Sequence, residues 1–178
     1  MIVAICGRKG TGKSTAGDYI AEQYSFKQYS LAQPLKDALK AMFGFENEQL
    51  YGDEKDVVHP LYEITPRRML QTLGTEWGQH TLDIGRDIWV KRFMLLEHDP
   101  RKNYVISDVR FQHELDALKE VDELVSICLF RGGTSGDPHE SEALALKTDY
   151  GIFNESDHSV LCYRLDEIMQ HANHTKRV

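Results

Sequence analysis

Lys13 and Ser14 close the run Gly7-Arg8-Lys9-Gly10-Thr11-Gly12, an order that fits G-x-x-x-x-G-K-[ST]. Three glycines within six positions let the backbone take left-handed angles and wrap closely around an anion. Successive N–H groups then point inward as an anion nest. At this spacing Lys13 reaches the β- and γ-phosphates of a nucleotide, the Ser14 hydroxyl ligates Mg²⁺, and Thr15 follows in the same turn.

A carboxylate and a set of cations accompany the loop. Tyr104-Val-Ile-Ser-Asp108 is an apolar run that delivers an aspartate, the pattern that holds Mg²⁺ directly or through water beside a phosphate loop. Arg110 follows, where the carboxyl end of a strand meets the ligand crevice. Arg67, Arg68 and Gln71 share a helical face, since Gln71 lies one turn beyond both arginines. Two arginines beside an amide suit a planar anion, and at this level the two are not distinguished. Lys36 and Arg131 complete the candidate cations. His139-Glu-Ser-Glu142 sets a histidine beside two carboxylates, but nothing supplies the remaining ligands of a metal site.

These groups need positioning elements. Ile2-Val-Ala-Ile-Cys6 is short, apolar and β-branched, as a buried parallel strand is, and Ala16, Tyr19, Ile20 and Tyr24 recur at helical spacing. The loop therefore joins a strand to a helix whose N-terminal dipole also favours phosphate. Further strands are expected over 26–30, 104–108, 124–130 and 151–154. Pro34 opens a helix with Leu35, Ala38, Leu39 and Met42 on one stripe, ended by Gly44. Thr65-Pro66 starts another, with Met69, Leu70, Leu73 and Trp77 buried. Helices follow over 87–97, from Phe111, and through Leu161, Leu165 and Ile168. Residues 46–59 read as acidic and irregular, and the glycine-flanked 131–138 suits a lid. Strands alternating with helices specify an α/β, three-layer fold with a parallel five-stranded sheet, one domain over 1–178.

Composition narrows the function. With 178 residues, 41% hydrophobic and 28% charged, the chain has the makeup of an ordinary globular domain. A net charge of −7 argues against nucleic acid or an acidic membrane surface as partner. Cys6, Cys128 and Cys162 show no metal spacing, which fits a reduced setting, the cytoplasm. The apolar N-terminus lacks a basic leader and serves as the first strand, and no apolar run reaches membrane-span length. A homodimer is compatible with the helix stripes.

The N-K-x-D motif of a GTP switch is absent, and Val109 stands where a motor ATPase carries a glutamate, so transfer to a bound acceptor is favoured over hydrolysis. A hydroxyl acceptor needs a base, yet the second strand ends in Ser30-Leu-Ala-Gln33 without a carboxylate. A phosphate acceptor needs cations instead, and Lys36, Arg67, Arg68, Arg110 and Arg131 supply them. Asp37 or Asp108 could still serve a hydroxyl.

Five stretches resemble the phage-type deoxynucleoside monophosphate kinases: Gly7 to Ser14; Leu31-Ala-Gln-Pro-Leu-Lys36; Thr65 to Thr75 with Asp87-Ile-Trp-Val90; Ser107-Asp-Val-Arg-Phe111; and His139-Glu-Ser-Glu142 followed by Asn154. The resemblance implies a P-loop kinase fold, Mg²⁺–ATP as donor and a deoxynucleoside monophosphate (dNMP) as acceptor. It implies an acceptor-binding insert over about 33–98 and a lid over about 131–142, the latter here poor in basic residues. It places Ser30, Lys36, Arg67, Arg68, Gln71, Asp87, Trp89 and Arg110 at the acceptor. Lys13, Asp108, Arg110 and Arg131 fall at the transferring phosphoryl group, and the setting would be the host cytoplasm if a phage encodes the chain. A dephospho-CoA kinase, or another small-molecule hydroxyl kinase, shares the fold and a similar Pro-Leu-Lys stretch. A slowly hydrolysing ATP-dependent binding module is the alternative outside the kinases.

Overall fold

β1 (Ile2–Gly7) is buried at every residue, because it lies at the centre of a sheet covered on both faces. The computed structural model describes residues 1–133, 146–155 and 157–175. The other strands are β2 (Lys27–Tyr29), β3 (Tyr104–Ile106), β4 (Leu124–Phe130) and β5 (Tyr150–Phe153), in the order β2-β3-β1-β4-β5 with all pairs parallel. Alternate residues of β1 enter two separate cores. Val3 and Ile5 meet Ala16 and Ile20 of α1 (Lys13–Tyr24) and Leu161, Leu165 and Met169 of α7 (His158–Thr175). Ile2 and Ala4 meet Val90 and Phe93 of α5 (Ile88–Leu96) and Leu115 and Leu118 of α6 (Gln112–Val121). The period of two in the strand thus generates the three layers. Cys6 and Cys128 are buried register partners, as expected of core thiols. Among the described residues no helix is long and apolar enough to cross a membrane.

Register sets up the site. Ala4 pairs with Ile106 and Gly7 with Leu129, so the phosphate loop, Asp108 and Arg131 all emerge at the carboxyl ends of neighbouring strands.

The segment between β2 and β3 departs from expectation in three places. α2 (Gln33–Phe43) ends at Gly44 as foreseen, but Met42 is 66% exposed. Residues 46–59 are not irregular throughout: they hold α3 (Asn47–Tyr51) and a 3₁₀ turn, Asp53–Asp56. Leu50 of α3 is buried with Leu39 and Phe45 in a third, smaller core, against Met69, Leu70 and Leu73. One five-residue helix and one turn are too short to show a period in sequence. Finally, the helix begun at Thr65 changes character. α4 (Pro66–Gln71) is followed by a π-helical stretch, Thr72–Thr81, with wider i→i+5 turns. Its buried residues are therefore Gly74, Thr75, Gly78 and Gln79, spaced by four, and Trp77 turns outward, 44% exposed. Gly78 is needed where it stands, since a Cβ would come within 2.5 Å of the Trp89 ring.

Candidate active site

The phosphate loop is held in shape by its own side chains and by Asn154 and Arg131. Thr11 is buried, and its hydroxyl donates to the Arg8 carbonyl at 2.9 Å. The Asn154 amide donates to the Thr11 carbonyl at 2.8 Å. Gly12 has φ 96°, and a Cβ there would sit 2.5 Å from that same amide, so only glycine fits. Lys13 folds across the loop and donates to the carbonyls of Gly7 (2.7 Å) and Arg8 (2.8 Å). Ser14 and Thr15 are exposed on the first turn of α1, while Arg8, Lys9 and Gly10 form the exposed outer rim.

Arg131 differs from expectation. Its Nε donates to the Asn154 carbonyl at 2.8 Å and its Nη1 to Gly10 at 3.3 Å. With Gly12, Thr15, Asn154 and His158 it lines a small cavity on the β5–α7 side of the loop, which Lys36, Arg67 and Arg110 do not line. The reason is topological: β4 borders β5, so a residue leaving β4 packs beside the chain that leaves β5. Only 131–133 of the expected lid are described, and the rest of it, with His139–Glu142, lies outside the described residues.

On the other side, α2, the 3₁₀ turn, α4, the π-helical stretch and α5 meet the β3–α6 connection around a cavity of mixed apolar and charged lining. Lys36, Lys55, Arg67 and Arg110 line it together with Asp108. Lys36 rests with Nζ 4.0 Å from the centre of the Tyr51 ring, and burial lowers its pKa. Arg67 is paired with Asp56, which also pairs with Lys9 of the phosphate loop. These two cations hold the Asp56 carboxyl well below its usual range. Asp108 accepts from the Ser30 hydroxyl (2.7 Å), Leu31 N–H (3.0 Å) and Ala32 N–H (3.0 Å), so it fixes the β2–α2 turn. Ser30 acts through that bond and is not among the residues lining the cavity.

The other wall carries Gln71, Thr75, Gln79, Trp89 and Phe111. Trp89 donates its indole N–H to the Gly74 carbonyl at 2.8 Å, which fixes the ring across the π-helical stretch. Glu114, buried at 4% exposure, accepts from the N–H groups of Arg110 (2.8 Å) and Phe111 (3.1 Å) and from the Gln79 amide (3.3 Å). Gln79 in turn contacts the His113 ring at 3.1 Å.

Two expected acceptor residues stand elsewhere. Arg68 pairs with Glu76 at 2.9 Å and is half-exposed, and Asp87 pairs with Lys91 at 2.8 Å; neither lines the cavity. Thr65 caps α4 by accepting the Arg68 N–H, which sets the helix rotation. Arg67 and Gln71, four apart, then share the inner face, and Arg68 is turned one step away. Lys55, Thr75, Gln79 and Glu114 escaped sequence reasoning. Glu114 left a faint signal, a glutamate at the third position of a helix start, but without a serine or threonine cap before it. Lys55 left none.

Burial pushes Glu114 up to about 7, against the two backbone N–H groups that pull it down. Its folded value lies above the ordinary 4.5, so the folded protein holds this proton more tightly. The stabilising contribution is complete below about pH 4.5 and is lost as pH rises to about 7. Glu114→Gln should flatten that loss, which is worth at most ~1.4 kcal/mol per pH unit. Denaturant unfolding at pH 5 and at pH 7.5 measures it, and equal slopes in variant and wild type would contradict the assignment.

The family model for deoxynucleotide monophosphate kinases matches residues 1–59 and 52–163. A protein of Acanthamoeba polyphaga mimivirus bearing that name is 36% identical, with 80% of each chain covered. The deoxynucleotide monophosphate kinase of enterobacteria phage T4 is 24% identical over 80% of this chain and 86% of its own. In fold the chain is similar to a gluconokinase from Sinorhizobium meliloti (TM-score 0.53, 15% identity, 98% and 94% covered). It is similar also to shikimate kinase from Aquifex aeolicus (TM-score 0.51, 11% identity, 96% and 97% covered).

Proposed function

Since the chain belongs to the deoxynucleotide monophosphate kinase family, we propose that it transfers the γ-phosphoryl group of ATP to a deoxynucleoside monophosphate, giving dNDP and ADP, with the two nucleotides on opposite sides of the phosphate loop. The observation that carries this reading is the convergence of Lys36, Arg67 and Arg110 on one cavity beside the loop, backed by a wall of amide and aromatic side chains.

An oxygen of the acceptor phosphate attacks the γ-phosphorus in line, and the bond to the bridging oxygen of ADP breaks. The attacking oxygen is already anionic at neutral pH, so no general base is required. The task of the protein is to hold two repelling anions in contact. The N–H groups of the loop and Lys13 take the donor phosphates, Lys13 exchanging its carbonyl partners for phosphate oxygens. Arg67, Lys36 and Arg110 take the acceptor phosphate and the charge that passes between the two. The segment 33–98 is the acceptor-binding insert, with Gln71, Thr75, Gln79 and Trp89 facing the sugar and base. Arg131 and Asn154 serve the donor side.

Mg²⁺ fits as an ion carried in by ATP. Ser14 offers an exposed hydroxyl on the first turn of α1, a hard oxygen ligand. Phosphate oxygens of the bound nucleotide would supply further ligands. Bound there, the ion would offset charge on the β- and γ-phosphates. Asp108 contributes by fixing the turn that carries Leu31 and Ala32.

A coupled ADP-release assay with a panel of deoxynucleoside monophosphates and dephospho-CoA tests the reading. ADP release that depends on a monophosphate, with matching dNDP formation, is expected. Release driven by dephospho-CoA alone, or ATP turnover indifferent to every acceptor, would replace it with a hydroxyl kinase or a binding module.

A further inference from the structure

The 3₁₀ turn Asp53–Asp56 lies in a segment whose sequence announces nothing, yet two of its residues face two different partners. Asp56 pairs with Lys9 on the phosphate loop and with Arg67 on α4, which ties the turn to both sides of the reaction centre. Its neighbour Lys55 lines the acceptor cavity with Lys36, Arg67, Arg110 and Asp108. Lys55 is only partly exposed, and among the described residues its ammonium has no hydrogen-bond or ion-pair partner. A half-buried ammonium beside three other cations is costly unless an anion answers it.

We propose that Lys55 is a further catalytic residue, whose ammonium grips the phosphate of the monophosphate acceptor alongside Arg67, Lys36 and Arg110, with Asp56 clipping the turn in place. The inference rests on the kinase reading above and adds a residue from a part of the chain outside every recognised motif. Two features support it. The turn sits on the α4 side of the cavity, where Arg67 enters, so both reach the same phosphate. The electrostatics also agree: burial and then Lys36, Arg67 and Arg110 lower Lys55 to about 8, with Asp108 opposing them. A dianionic phosphate brought among these four cations restores the charged form and binds the more tightly for it. Among the described residues, Glu114 on α6 lines the same cavity and Asp56 sits beside Lys55 in the turn.

Steady-state kinetics of the full chain with Lys55→Met and Lys55→Arg test this, with the monophosphate and ATP varied separately. The matching deoxynucleoside, which lacks the phosphate, serves as a competitive inhibitor. Lys55→Met should raise KM for the monophosphate on the order of 10–100-fold, the scale of one charge-assisted hydrogen bond. KM for ATP and the inhibition constant of the deoxynucleoside should stay within about twofold, and Lys55→Arg should recover most of the loss. In the wild type, kcat/KM for the monophosphate should fall as pH rises through about 8, and Lys55→Arg should abolish that limb while Lys36→Arg keeps it. An unchanged KM in Lys55→Met overturns the proposal. So does a parallel rise in the deoxynucleoside constant and KM for ATP, which would mark a collapsed turn, and so does a pH limb that persists in Lys55→Arg. A wild type inactive with every monophosphate overturns the kinase reading along with it, whereas an active wild type matched by Lys55→Met removes Lys55 alone.

Discussion

Lys13→Ala should lower kcat by about three orders of magnitude or more while the protein stays folded. The two halves of that expectation have separate physical origins. Lys13 is the motif side chain whose charge meets the developing negative charge on the phosphoryl oxygens. Its loss removes a transition-state interaction, so kcat falls more than KM for ATP rises. Lys13 is one of several groups that shape the loop. Thr11, Asn154 and Arg131 fix the loop by bonds to the carbonyls of Arg8, Thr11 and Gly10. Loss of the two carbonyl bonds of Lys13 should shift unfolding by about 1–3 kcal/mol, too little to unfold the domain. Single-turnover kinetics and denaturant unfolding on one preparation measure both halves. Turnover near that of the wild type would remove Lys13 from the reaction.

Arg67→Ala should raise KM for the monophosphate about a hundredfold, with KM for ATP within a few fold. Arg68→Ala should leave both nearly unchanged. Adjacent in sequence and alike in chemistry, the two arginines are separated by helix rotation. The Arg67 side chain is 17% exposed inside the cavity, and that of Arg68 is 50% exposed and paired with Glu76. Arg67→Lys should recover only part of the loss, because an ammonium cannot reproduce the planar fork that grips two phosphate oxygens. Comparable effects of the two alanine substitutions would show that α4 presents a different face to the acceptor.

The parts of this site that could be read from sequence are those where local chemistry dictates the answer. An apolar run followed by spaced glycines and Lys13 has few uses other than a phosphate loop, and Thr65-Pro66 fixes a helix start. Arg67 and Gln71 then fall together by helical spacing. What stayed hidden depends on tertiary placement. The family resemblance alone places Arg131 at the phosphoryl group, but strand order sets β4 beside β5, and its side chain bonds the carbonyls of Asn154 and Gly10. A period of 3.6 places Trp77 inside, but the stretch is π-helical and buries Thr75 and Gln79 instead. Lys55 and Asp56 sit in a single turn with no periodicity. Asp56 pairs with Lys9 and Arg67, 47 and 11 residues away in the chain.

A structure of the protein with a bisubstrate analogue, adenosine and a deoxynucleoside joined through a polyphosphate chain, tests the central claim most directly. The expected result is a phosphate chain running from the nest at Gly7–Ser14 to Arg67, Lys36 and Arg110, with the deoxynucleoside base against Thr75, Gln79 and Trp89. A deoxynucleoside end bound away from that cavity, with Arg67 still on Asp56 and the phosphates outside the cations, would contradict it.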